Sequence, residues 1–99
     1  RAAQAAAESA RMGDTHRKIA ELLNARPMTG DECHKAWLDA GYHDTALNTI
    51  RARMNDLMKA GLIMETGQTR PTQYNRQASV MELSGAGMNW LQELERKVA

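Results

Sequence analysis

The strongest constraint on this chain is the apolar stripe between residues 44 and 61. Leu47, Ile50, Met54, Leu57 and Met58 recur at helical spacing, Asp44 stands where an N-terminal cap belongs, and Gly61 is a good C-terminal stop. Leu62 to Thr66 then has the composition of a short strand. A one-sided helix followed at once by a strand must find its core partners elsewhere in 99 residues, which is room for one domain. Large rings cannot supply that core, because the chain has no Phe and only two Trp and two Tyr. Seven Met must help to fill it.

The partners precede and follow the stripe. Asp14 or Thr15 can cap a helix carrying Ile19, Leu22 and Leu23, which Pro27 stops near Ala25. Thr29-Gly30-Asp31-Glu32 is a capping box, with Cys33, Ala36, Trp37 and Ala40 on one face and Gly41 at the end. Downstream, residues 67–77 carry no apolar period and read as a long loop, and residues 78–83 return to strand composition. Val80 and Leu83 cannot both face inward without a bulge. Ser84 can cap a last helix bearing Trp90, Leu91, Leu94 and Val98.

Only Gly41 to Asp44 separates the second and third helices, which is helix-turn-helix spacing. The expected fold is therefore mainly α with a small β-hairpin, a winged helix-turn-helix in the order α-α-α-β-wing-β-α. Residues 14–99 would form the winged helix domain. The Ala-rich residues 1–13 would be a helix-prone leader or linker.

The run Thr49-Ile50-Arg51-Ala52-Arg53-Met54-Asn55-Asp56-Leu57, ending in Gly61-Leu62-Ile63, resembles the end of the recognition helix in bacterial winged helix-turn-helix proteins. The likeness spans about residues 14–84. Gly67, Thr69, Arg70, Thr72, Arg76, Ala78 and Val80 are spaced as in wings of small phage and prophage DNA-binding proteins. The resemblance implies a partner, double-stranded DNA, and a role as a transcriptional regulator or a phage replication or packaging factor.

Charge points the same way. Overall the chain is nearly balanced, at +1. Residues 45–81 hold five basic side chains (Arg51, Arg53, Lys59, Arg70, Arg76) against Asp56 and Glu65, a net +3, while the remainder is net −2. Phosphate binding needs such a local field. With Ile50 at the centre of the buried stripe, Thr45, Asn48, Ala52, Asn55, Asp56 and Lys59 fall opposite, and Thr49, Arg51 and Arg53 lie on the flanks. The N-terminal half of such a helix meets base edges. This selects Thr45, Asn48, Thr49 and Ala52 for the groove floor, and Arg51 and Arg53 as readers or phosphate clamps.

The wing supplies the second set. Arg70 and Arg76 have no acid beside them within residues 67–77, and Gln68, Thr69, Gln73 and Asn75 offer uncharged donors. An Arg at a wing tip can enter the minor groove. Thr15, His16, Arg17 and Lys18, at a helix start, form a third phosphate candidate. The alternative function is a winged helix for protein–protein assembly with no DNA face. Residues 85–98 would then, or in either case, offer an apolar surface for a homodimer.

Other chemistry finds little support. Cys33 and His34 point about 100° apart on a helix, and no zinc spacing is present, so no metal and no cofactor are expected. Cys33 should be buried beside a surface His34. Ser84-Gly85-Ala86-Gly87 is not a nucleophile elbow, because its Ser precedes both glycines. It also lacks the Lys of a phosphate-binding loop. No enzymatic activity is expected. A single Cys fits a reducing compartment, hence the cytoplasm. No apolar run reaches the ~20 residues of a membrane span.

Overall fold

The computed structural model describes residues 12–72 and 74–98. The helix-prone stretch at residues 1–11 and Gln73 therefore lie outside the described residues. Helix α1 (Asp14–Ala25) presents Ile19, Ala20 and Leu23 to the core. Its cap is Gly13, not Asp14 or Thr15. The Gly13 N–H donates to Nδ1 of His16 at 2.9 Å. Asp14 sits in the first turn, where a carboxylate suits the helix dipole. Bonds from Arg17 and Lys18 hold its carboxyl below the ordinary value.

Helix α2 (Gly30–Asp39) starts at the expected capping box. The Glu32 N–H donates to Thr29 Oγ1 at 3.2 Å, and the Thr29 N–H donates to Glu32 Oε1 at 3.0 Å. Cys33 and Trp37 are buried on its inner face. Burial pushes the Cys33 thiol up to about 12, so it stays protonated at neutral pH.

Helix α3 (Leu47–Lys59) buries Ile50, Met54 and Leu57. It begins after Ala46, later than the Asp44 cap predicts. Residues 40–46 form the connection instead of Gly41–Asp44 alone. The cause lies in α2. Trp37 Nε1 donates to the His43 carbonyl at 3.0 Å, and His34 Nε2 donates to the Thr45 carbonyl at 2.6 Å. These bonds take up carbonyls that would otherwise start the helix, and keep residues 43–45 out of it. His34 is accordingly half-buried and engaged, not a free surface group.

Strands β1 (Ile63–Pro71) and β2 (Gln77–Leu83) form an antiparallel hairpin. Its base pairs Ile63 with Leu83 and Glu65 with Met81; its outer half pairs Thr69 with Ser79 and Pro71 with Gln77. Between the two blocks the register shifts, with Thr66, Gly67 and Gln68 set against Val80. Gly67 has φ +92°, a left-handed conformation suited to Gly. Val80, Met81 and Leu83 are all buried, Met81 and Leu83 within the core cluster. The eleven-residue loop expected at 67–77 is mostly strand. Among the described residues Thr72 and Tyr74 to Arg76 make the turn, closed by the Thr72 N–H to Arg76 carbonyl bond, with Asn75 at φ +59°. Main-chain pairing extends the hairpin where no apolar pattern marks it. Met28 pairs with Met81 through two main-chain bonds on the other edge of β2.

Helix α4 (Gly85–Val98) begins where Ser84 caps it, its Oγ accepting from the Gly87 N–H at 3.0 Å and donating to the Gly61 carbonyl at 2.6 Å. Gly87 packs so closely that a Cβ there would lie 1.9 Å from the Leu62 carbonyl oxygen. Leu91 is buried in the common core with Ile19, Trp37, Ile50 and Leu57. Trp90 and Leu94 are half-buried and Met88 is exposed. The Val98 side chain is outside the described part. Met28, Met54 and Met81 join the core, while Met58, Met64 and Met88 face solvent. The architecture is the winged helix expected from the order of elements. Among the described residues no helix is long and apolar enough to cross a membrane.

Candidate nucleic-acid interface

The outward face of α3 carries Asn48, Thr49, Arg51, Ala52 and Asn55, with Arg53 half-buried beside them. They face outward because Ile50, Met54 and Leu57 face inward and the helix repeat sets the rest. Thr45 departs from this set. It lies before the helix in the connection, where its Oγ1 donates to the His43 carbonyl at 3.1 Å.

The wing approaches the same region. Arg51 on α3 and Thr72, Tyr74, Arg76, Gln77 and Ala78 at the wing tip line one open groove of about 480 Å³. Gln68, Thr69 and Arg70 are exposed on β1, not in a loop. Thr69 is tied across the hairpin to Gln77, its Oγ1 donating to Oε1 at 3.1 Å. Arg76 is exposed in the turn, and the Tyr74 ring near it is 68% exposed, an unusual position for a large side chain.

The charges are not free, as the sequence alone would have them. Arg51 Nη2 donates to Asp31 Oδ1 at 2.6 Å, and Arg70 Nη1 donates to Glu32 Oε1 at 2.7 Å. Arg53 Nε donates to Asp56 Oδ2 at 2.8 Å. The same Asp56 oxygen accepts from His16 Nε2 at 2.9 Å. Because His16 Nδ1 accepts from the Gly13 N–H, Nε2 is the ring nitrogen that carries hydrogen. The His16 bond, aided by Arg53, holds the Asp56 carboxyl below its ordinary value.

Asp31 and Glu32 are the residues that sequence reasoning missed. In the chain they belong to the net negative remainder and read as a helix start. In space they join the basic segment, so five basic side chains meet four acids and the local excess falls from +3 to +1. Among the described residues of that segment, Lys59 and Arg76 make no ion pair. The third phosphate candidate is likewise engaged. His16 bonds Asp56, Arg17 pairs with Asp14 and Glu21, and Lys18 pairs with Asp14. Lys18 Nζ also sits 4.7 Å from the Tyr42 ring centre. Asp14 in particular opposes an incoming anion at that helix start. Among the described residues no three His, Cys, Asp or Glu side chains lie together as a metal site.

No protein-family model matches this sequence, and no curated protein matches it. Solved structures do match the fold. A PadR-like transcriptional regulator from Bacillus cereus superposes with a TM-score of 0.69 at 13% identity, over 83% of this chain and 78% of that one. A PadR-like transcription factor from Bacteroides fragilis gives 0.68 at 17% identity, over 84% and 77%. A PadR family transcription regulator from Clostridium difficile gives 0.69 at 14% identity, over 86% of each chain. The fold is thus a winged helix like that of PadR-like regulators.

Proposed function

We propose that this chain is a transcription regulator that binds double-stranded DNA, with α3 in the major groove and the wing arginines on the minor groove or backbone. The observation that carries the reading is the groove shared by Arg51 and the wing tip, bordered by Arg76, Thr72 and Gln77. In this reading Arg76 meets a sugar-phosphate strand at the wing end of the groove and Arg51 faces the base edges. Asn48, Thr49 and Ala52 take the groove floor; Arg51 and Arg53 flank it; Gln68, Arg70, Gln73 and Arg76 act from the wing. Residues 14–99 form the binding domain, acting in the cytoplasm without enzymatic activity. The structural neighbours named above favour regulation over phage replication or packaging, and the phage or prophage reading rests on the wing motif alone.

Fluorescence anisotropy with random-sequence duplex tests this reading. Measurable affinity at low salt that falls steeply as salt rises is the expected result. A flat titration at low salt overturns it.

A second reading has its own support. Asp31, Glu32 and Asp56 neutralise much of the basic face, which suits a module for protein assembly. Assembly through α4 as a homodimer is compatible with either reading, since Met88 is exposed and Trp90 and Leu94 are only half covered. Sedimentation across a concentration series decides that point: a monomer at high micromolar concentration, with and without DNA, removes the dimer.

A further inference from the structure

The two acids at the start of α2 have a geometry that ordinary surface ion pairs lack. Glu32 is fixed, because the oxygen that accepts from Arg70 also accepts from the Thr29 N–H and closes the helix cap. Asp31 is fixed by burial. Its side chain is 18% exposed, and its second oxygen, Oδ2, is buried with no hydrogen-bond partner. The arginines are the exposed members, at 48% and 44%. Arg51 is seated as well as paired. Its stem lies over Gly30, where a Cβ would come within 3.3 Å of Arg51 Cγ. One element, Gly30-Asp31-Glu32, thus holds one arginine from α3 and one from the wing.

We infer that Asp31 and Glu32 are specificity-determining residues, which hold Arg51 and Arg70 in place and set a fixed negative charge against any phosphate those arginines would otherwise bind. The inference rests on the DNA-binding reading and deepens it. A phosphate that approaches Arg51 or Arg70 must displace or share a carboxylate that is held in place, by burial at Asp31 and by the helix cap at Glu32. Like charges brought together in this way weaken the wrong complex more than they help the right one. A base edge is a different partner. Guanine offers neutral acceptors, and a guanidinium has five N–H donors, so Arg51 can keep its bond to Asp31 and still present two donors to O6 and N7. The acids therefore weaken sequence-independent binding and leave base reading intact. Arg76, which makes no ion pair among the described residues, remains for the backbone.

The test compares the full chain with Asp31→Asn, Glu32→Gln and the double variant. Gln at position 32 keeps the reach to the Thr29 N–H, so the cap survives. The probes are random-sequence duplex and a duplex selected by the wild-type chain from a randomised pool. Asp39→Asn removes the same charge from the other end of α2 and serves as the control. Each single variant is expected to raise affinity for random duplex about three- to tenfold over that control, with a matching fall in the selected-to-random ratio. In the Arg51→Met background the Asp31→Asn gain should vanish. A wild-type chain that binds no random duplex while the double variant does supports the inference. Wild type and variants with equal affinity for random duplex overturn it and leave DNA binding standing. A gain that Asp39→Asn matches, or that survives Arg51→Met, overturns it too, since bulk charge then suffices. If neither wild type nor any variant binds any duplex at low salt, the DNA-binding reading falls, and this inference with it. Thermal melting of each variant identifies an unfolded protein, and Glu32→Gln then carries the test if Asp31→Asn does not fold.

Discussion

The two faces of α3 are built by opposite rules. The inward face is apolar and sealed, with Ile50 and Leu57 wholly buried and Met54 nearly so. Its neighbours in the core are Ile19 and Trp37 from the other helices and Leu91 from α4. The outward face is polar and held by ions, with Arg51 on Asp31 and Arg53 on Asp56. Burial contributes stability in proportion to area and asks little of direction. Exposed ion pairs contribute little stability, about 0–1 kcal/mol, but they place a charge at a defined point. One helix thus serves the fold on one side and recognition on the other, and a substitution should disturb one role without the other.

The sharpest way to break this division lies where backbone meets backbone. Gly87→Ala places a methyl 1.9 Å from the Leu62 carbonyl oxygen, and neither backbone can yield cheaply. We expect a loss of about 3 kcal/mol or more, by analogy with overpacked cores, read as a lowered midpoint in chemical denaturation. A change within ~0.5 kcal/mol would mean that α4 is loosely docked.

On the inward face, Ile50→Ala should cost ~2–5 kcal/mol, because the site is enclosed and a cavity remains. Thr49→Ala, one residue away and exposed, should stay within about 0.5 kcal/mol. Equal losses from the two would erase the distinction between the faces.

On the outward face, Arg51→Ala should weaken DNA binding by ~1–3 kcal/mol and relax one base position. The fold should survive, since the Arg51 end of the pair is 48% exposed and water can replace it beside Asp31. Arg76→Ala should reduce the slope of log affinity against log salt by about 0.9, for the one phosphate it neutralises, while Arg70→Ala, whose guanidinium is held by Glu32, should change the slope less. Melting should hardly change, because the outer wing packs against little. An unchanged slope would remove the wing from the interface.

The smallest effect concerns Asp56, which ties the start of α1 to the outward face of α3 through His16. Its folded-state pKa is depressed, with the His16 bond the leading cause. A depressed carboxylate stabilises the fold above its ordinary pKa near 4, and that contribution is lost as pH falls through the lower folded value. Asp56→Asn should therefore flatten the stability curve below about pH 4 relative to wild type and scarcely alter its shape at higher pH. A wild-type acid limb that Asp56→Asn leaves unchanged would show that the bond carries no linked stability.

The apolar spacing at Leu47, Ile50, Met54 and Leu57 was enough, with the capping box at Thr29 and Glu32, to define the helices and their inward faces. Those signals are local: a period set by the helix and a cap set within one turn. Gly61 and Ser84 were legible for the same reason. Three features were not. The outer hairpin forms through main-chain bonds that polar residues 68–71 and 77–79 do not advertise. The late start of α3 follows from His34 and Trp37, which reach across to the carbonyls of Thr45 and His43. The placement of Asp31 and Glu32 against Arg51 and Arg70, 20 and 38 residues away in sequence, depends on how α2 crosses α3 and the wing. Sequence alone determined most of the residues that turn inward, because burial follows periodicity; Met58 and Ala40, at the ends of their stripes, are the exceptions and are exposed. Only the tertiary structure decided which charges remain free to act, because an ion pair between distant segments exists only once the packed core has brought them within reach.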